Sequence, residues 1–321
     1  MDKPKTTPKD FFLWAGAMVA LYSSIVAFIS LYFNYINYAF PDPVREAYYY
    51  GSYDPYQGGI SYAMATLIVL TPVFLILMRI IRRDIEKDSS RRDIWIRRWA
   101  LFLTLFVAGA TIVIDLITLL YTFLSGGDLT AAFLLKVLVV LLVAGAGFMH
   151  FLADLWGFWV KFPDRAKMIG YGVGVLVILS IIAGFFIVGT PGEARAQRLD
   201  NQRITDLQNI QWQVVNYWQQ KEQIPQSLND LLDPISGVYI PVDPQTGEAY
   251  EYRMTGAMSF ELCATFDRAG DARIYGYDRP YPASVVPGKG EAINEVWTHS
   301  AGRACFDRTI DPERYPPYTK N

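Results

Sequence analysis

Residues 79–98 read RIIRRDIEKDSSRRDIWIRR, and residues 99–121 read WALFLTLFVAGATIVIDLITLLY. The first stretch sets eight Arg or Lys among four acids, while the second carries one ionisable side chain, Asp115, in 23 residues. A helix rises about 1.5 Å per residue, so the second stretch outspans the roughly 30 Å hydrocarbon core of a bilayer. It reads as a transmembrane helix entered from a basic loop.

Working outward, four further runs are long and apolar enough to cross: Phe11 to Tyr32, Ile60 to Met78, Ala131 to Phe151 and Met168 to Val188. The first is too long and aromatic for a removable signal peptide, with no small-residue cleavage site after Ser30, so it is expected to be retained. A composition of 52% apolar residues fits a bilayer better than water. The net charge of -2 gives no sign of a nucleic-acid partner.

Direction follows from the bases, because short loops rich in Lys and Arg resist export. Lys3, Lys5 and Lys9 precede the first span. Arg82, Arg83, Arg91, Arg92, Arg97 and Arg98 crowd the loop before the third, and Lys161, Arg165 and Lys167 precede the fifth. These three segments are expected in the cytoplasm. The loop from Ala39 to Gly59 has only Arg45 against Asp42, Glu46 and Asp54, and Leu124 to Thr130 has no base. The chain is thus expected to be N-in and C-out in the inner membrane, with everything after Gly189 extracytoplasmic. Anionic headgroups or a cytoplasmic partner would each explain the arginine-rich loop, and its acids suit ion pairing on helix surfaces.

Cys263 and Cys305 are the only cysteines and both fall in the exported part, where an oxidising compartment favours one disulfide. With His150 and His299 the only histidines, no metal or cofactor is expected. Oxygen ligands near Asp243 or Asp271 leave no firm calcium spacing. The adjacent His299 and Ser300 cannot converge as base and nucleophile, so the chain is not read as an enzyme.

Ionisable residues inside the spans need a reason, since each costs about 2.5–3.5 kcal/mol at a helix centre. Asp115 and Lys136 lie at matching depths in consecutive helices, which predicts an ion pair. His150 and Asp154 stand one turn apart, suited either to a proton relay or to Asp154 reaching Arg97 or Arg98 while His150 makes a structural hydrogen bond. Gly170 and Gly174, with Ser180 and Gly184, admit close approach of another helix, from a second copy or from the same bundle.

Gly189, Thr190, Pro191 and Glu193 write a helix stop and a capped restart. Ile204, Leu207, Ile210, Val214 and Tyr217 then mark one apolar face of a helix reaching about Gln220, with the polar residues assigned elsewhere. Glu248 to Arg253 and Ser259 to Phe266 alternate as strands, after a turn at Asp243 to Gly247. From Tyr275 the prolines and tyrosines read as an ordered loop held by the disulfide. The expected fold class is an all-α transmembrane bundle of five helices followed by an α+β domain, a long helix plus a small antiparallel sheet. Its parts are a cytoplasmic N-terminus (1–10), a four-helix membrane domain (11–160), a fifth transmembrane helix (168–188) and an extracytoplasmic domain (190–321).

The arginine-rich loop running into Arg-Arg-Trp-Ala-Leu-Phe at 97–102, the Asp115 helix and Lys136 resemble a family of uncharacterised bacterial four-helix membrane domains over residues 11–155. That resemblance implies membrane architecture and no mechanism. Residues 168–266 resemble type IV pilins and secretion pseudopilins. The carriers are Ile224 to Leu232, with Pro225-Gln-Ser-Leu-Asn-Asp-Leu231, then Asp243-Pro-Gln-Thr-Gly247 running to Tyr252, and the strand through Cys263. No prepilin leader precedes the fifth span and no glutamate lies in Met168 to Leu176, so a polymerising subunit is not expected. The resemblance implies instead a membrane-anchored envelope protein displaying a pilin-like domain, partnered by the bilayer, by an envelope or pilus-assembly protein, or by another copy of itself. A small transporter or proton-coupled sensor using Asp115, Lys136, His150 and Asp154 is the alternative reading.

Overall fold

A computed structural model describes residues 6–40, 58–88, 91, 94–233, 239–270 and 297–318. The chain divides between Gly189 and Thr190 into two compact units.

The first unit is helical: α1 (Pro8–Ala39), α2 (Gly59–Lys87), α3 (Trp95–Leu124), α4 (Ala131–Leu155), a single turn α5 (Phe158–Lys161) and α6 (Pro163–Val188). Five of these are long and apolar enough to cross a membrane. Each run outlasts the span read from hydropathy. At the start of α1, Thr7 Oγ1 accepts from the Asp10 amide at 3.3 Å, and Asp10 Oδ2 accepts from the Thr7 amide at 3.0 Å. Helix α1 runs through the middle of the bundle. It packs on α2, α3, α4 and α6, while α3 lies along α4 and α6 along α2. Leu31, Ile60 and Leu67 are the best-covered side chains, and most large apolar residues face outward, as a lipid-facing bundle requires.

The second unit opens with α7 (Pro191–Lys221). Gly189 adopts φ +73°, a value that suits glycine, and ends α6. The Thr190 hydroxyl then accepts from the Glu193 amide at 3.3 Å, and the Glu193 carboxylate accepts from the Thr190 amide at 2.6 Å. The restart legible in Gly-Thr-Pro-x-Glu is therefore present. A 3-10 turn (Leu228–Leu231) and three strands follow: β1 (Glu251–Met254), β2 (Ser259–Phe266) and β3 (Gly302–Thr309), an antiparallel sheet in that order. The core sets Ile204, Leu207, Ile210, Val214 and Trp218 of α7 against Phe260, Leu262 and Phe266 of β2, with Trp297, Phe306 and Ile310 closing it.

Three expectations need correction. Strand β1 starts at Glu251, because Asp243 to Glu248 are held in a turn in which the Asp243 amide donates to the Glu248 carbonyl at 2.8 Å. On α7 it is Trp218 that is buried, with Tyr217 only partly covered. The tail is not all loop, since β3 pairs along the whole of β2 and sets Cys305 directly opposite Cys263. The disulfide joins these two cysteines, whose Cα atoms are 4.0 Å apart. Residues 310–318 then return to α7, where Trp218 Nε1 donates to the Tyr315 carbonyl at 3.2 Å. Residues 275–296 and 319–321 of the tail read as loop, together with Asp271, lie outside the described residues.

Candidate functional site

Charge in the helical unit gathers at one end. Lys9 Nζ donates to Asp84 Oδ2 at 2.6 Å, joining the start of α1 to the end of α2. Arg91 Nη1 donates to Asp10 Oδ1 at 2.8 Å, with Asp84 and Asp88 at 4.0 and 3.8 Å from the same side chain. Arg97 Nη2 donates to Asp154 Oδ2 at 2.9 Å, joining the start of α3 to the end of α4. Asp84, Arg91 and Arg97 of the arginine-rich segment thus stitch helix to helix. Of its bases, Arg91 and Arg97 are committed to these bridges, Arg82, Arg83 and Arg98 are exposed, and Arg92 lies outside the described residues. All five tryptophans before Gly189 (Trp14, Trp95, Trp99, Trp156 and Trp159) lie in or next to helix segments at this end.

Eighteen residues, five helical turns, separate Arg97 from Asp115 on α3 and Lys136 from Asp154 on α4. Asp115 and Lys136 should therefore meet one seam. Asp115 Oδ2 is buried without a hydrogen-bond partner, and Lys136 Nζ stands 5.9 Å from the centroid of the Phe33 ring on α1. Because α4 packs on α1 as well as α3, the Lys136 side chain turns to an aromatic face that also attracts an ammonium. His150 and Asp154 turn to different partners. The Asp154 carboxylate goes to Arg97, while the His150 ring stacks on Trp159 at 5.0 Å and its carbonyl accepts from Trp159 Nε1 at 2.9 Å. Among the described residues no hydrogen bond joins His150 to Asp154.

Toward the other end, Ser180 of α6 is gripped by α1. The Tyr32 hydroxyl is 3.0 Å from Ser180 Oγ, and the Tyr35 hydroxyl donates to the Ser180 carbonyl at 2.6 Å. A Cβ on Gly184 would strike Met64 and the Tyr35 hydroxyl. Ser180 and Gly184 therefore serve packing inside the bundle, whereas Gly170 and Gly174 face open space. Tyr32 read in sequence only as the end of an apolar span, and Tyr35 lay beyond it.

In the second unit, the periodic face of α7 continues upward from Leu207 through Arg203 and Asp200, both buried (3% and 1% exposed). The sequence reading placed such charges on the outer face. Arg203 donates through Nε to Asp243 at 2.7 Å, through Nη1 to Asp200 at 2.7 Å and Asp267 at 2.9 Å, and through Nη2 to Gln245 at 2.8 Å. Asp200 also accepts from the Asp267 and Arg268 amides at 3.0 and 2.9 Å. Burial works to raise the Asp243 carboxyl, but Arg203 and the Thr246 and Gln245 amides outweigh it and hold it below the usual range. Next along the helix, buried Asp206 accepts from the Tyr250 hydroxyl at 2.8 Å. Burial and that carboxylate push the Tyr250 phenol well above its usual value. Around Asp243 the cation position is thus filled by a guanidinium, which pins the Asp-Pro-Gln-Thr-Gly turn and the end of β2 to α7. The missed signal was the i, i+3 Asp200–Arg203 pair in line with Leu207.

A shallow groove lies beside this core, lined by Gln211, Trp212, Val215, Phe260, Arg308 and Tyr315 among others. The Trp212 indole is 51% exposed at its side. His299 is buried and stacked on Phe266 at 3.6 Å, an arrangement that packs the core and offers no reacting group to solvent.

Residues 10–151 match a family described as a domain of unknown function (DUF5671). No curated protein and no solved structure matches the chain.

Proposed function

We propose that this protein is a membrane-anchored envelope protein that presents its C-terminal unit outside the cell membrane for assembly with a partner. The observation that carries the reading is the C-terminal unit itself. It has its own apolar core, a cross-strand disulfide and a buried Arg203 network, and it follows the fifth apolar helix after a break fixed by Gly189 and the Thr190 cap. A disulfide belongs with an oxidising compartment, and the bases at one end of the bundle belong with the cytoplasmic face. The order of a long helix, a Pro-x-Ser-Leu turn, an Asp-Pro-x-Thr-Gly turn and paired strands supports a pilin-like character for the exported unit. The bundle is its anchor, and the half-exposed Trp212 beside the groove is the surface on which a partner's apolar side chain would rest.

The experiment is photo-crosslinking in intact membranes from a photoreactive amino acid at position 212, followed by mass spectrometry. The expected result is an adduct with a defined envelope-assembly protein that is absent when the probe stands at exposed Arg314. Adducts with lipid or with the chain alone contradict the partner-binding reading.

A further inference from the structure

Val69, Val73, Ile76, Ile80 and Arg83 follow one another on α2 at spacings of four and three, which places them in a single stripe. All five are exposed. Ile81, on another side of the same helix, is buried (4% exposed) in the bundle. The stripe is apolar for four positions and then basic, with exposed Arg79 and Arg82 close beside its basic end. Lys9, Arg91 and Arg97 at this end of the bundle are committed to carboxylates, whereas Arg79, Arg82 and Arg83 form no ion pair among the described residues. Exposed Trp95, Trp99 and Trp156 stand at the same end, the side chains that favour the headgroup layer.

We propose that Arg79, Arg82 and Arg83 form a headgroup site for an anionic phospholipid whose acyl chain lies along Val69, Val73, Ile76 and Ile80. A lipid fits better than a protein because the basic cluster continues a lipid-facing stripe without interruption. A guanidinium also meets a phosphate with two parallel hydrogen bonds, and its apolar stem lies on hydrocarbon while the charge reaches the headgroup.

The test reconstitutes the full chain in nanodiscs of equal phosphatidylglycerol and phosphatidylcholine, then counts by native mass spectrometry the lipids retained after brief detergent exchange. Each basic residue near an anionic surface is worth about fivefold in preference, the equivalent of about 1 kcal/mol. The chain should retain phosphatidylglycerol in clear excess. The triple variant Arg79→Gln, Arg82→Gln, Arg83→Gln should fall to the bulk ratio, and Arg314→Gln in the C-terminal unit should not. A variant that keeps the excess, or an unaltered chain that shows none, overturns the site. Should the triple variant lose helicity, the unaltered chain decides by itself. Raising salt to about 1 M shortens the Debye length to about 3 Å and should abolish the excess, and an excess that survives counts against the proposal.

Discussion

Replacing Arg203 by methionine should destabilise the C-terminal unit more than any other single change to a polar side chain there. The substitution keeps an unbranched chain of similar length and removes four hydrogen bonds, to Asp243, Asp200, Asp267 and Gln245. Asp267 is 40% exposed in its side chain and can return to water, whereas Asp200 and Asp243 are 1% and 12% exposed and cannot. Removing one member of a buried charge cluster costs about 3–5 kcal/mol, because the partner charges stay desolvated. With a urea slope of about 1–3 kcal/mol per molar, the unfolding midpoint should fall by roughly 2 M. Pulse proteolysis of the full chain in detergent, following fragments that contain residues 190–321, reads that midpoint without requiring the unit to be isolated. Arg203→Met together with Asp200→Asn should recover part of the loss, since one stranded charge is gone. A midpoint that moves by less than about 0.5 M would refute the view that the cluster holds the turn and β2 to α7.

The same cluster sets an acid response. Asp243 is depressed when folded, so its contribution is complete above the unfolded value of about 3.9 and is lost as pH falls through the folded value. Unfolding of the unit should steepen below about pH 4, and Asp243→Asn should flatten that limb in a pH series of urea midpoints. Gly184→Ala, whose Cβ meets Met64 and the Tyr35 hydroxyl, should lower the thermal midpoint of the bundle, and Gly174→Ala, whose Cβ meets nothing within 4 Å, should not lower it by scanning fluorimetry. Exchanging Arg97 and Asp154 should restore stability that either single alanine change removes. Replacing Cys263 and Cys305 by serine should cost about 2–4 kcal/mol, read by the same proteolysis assay.

Hydrophobic runs made five helices legible because crossing about 30 Å of hydrocarbon leaves little freedom of composition. The capped restart at Thr190 was equally legible, since Gly-Thr-Pro-x-Glu satisfies backbone groups within one turn. Strand β3 was not, because as the third strand of the sheet it buries only Phe306 fully and its alternation is broken by Arg303, Asp307 and Arg308. The Arg203 cluster escaped for a different reason. Its partners come from 40 and 64 residues away, and the one local sign, Asp200 and Arg203 in line with Leu207, does not by itself tell a buried pair from a solvated one. Asp115 and Lys136 show the converse limit. Depth and helical phase align them, but a long lysine chain chooses among neighbours, and α1 offered Phe33.

Display of the C-terminal unit outside the membrane is tested most directly by protease added to right-side-out spheroplasts that carry the chain with one epitope before Met1 and another after Asn321. The account expects the C-terminal epitope to be lost without lysis while the N-terminal epitope survives. A C-terminal epitope that is protected until the membrane is broken would contradict it.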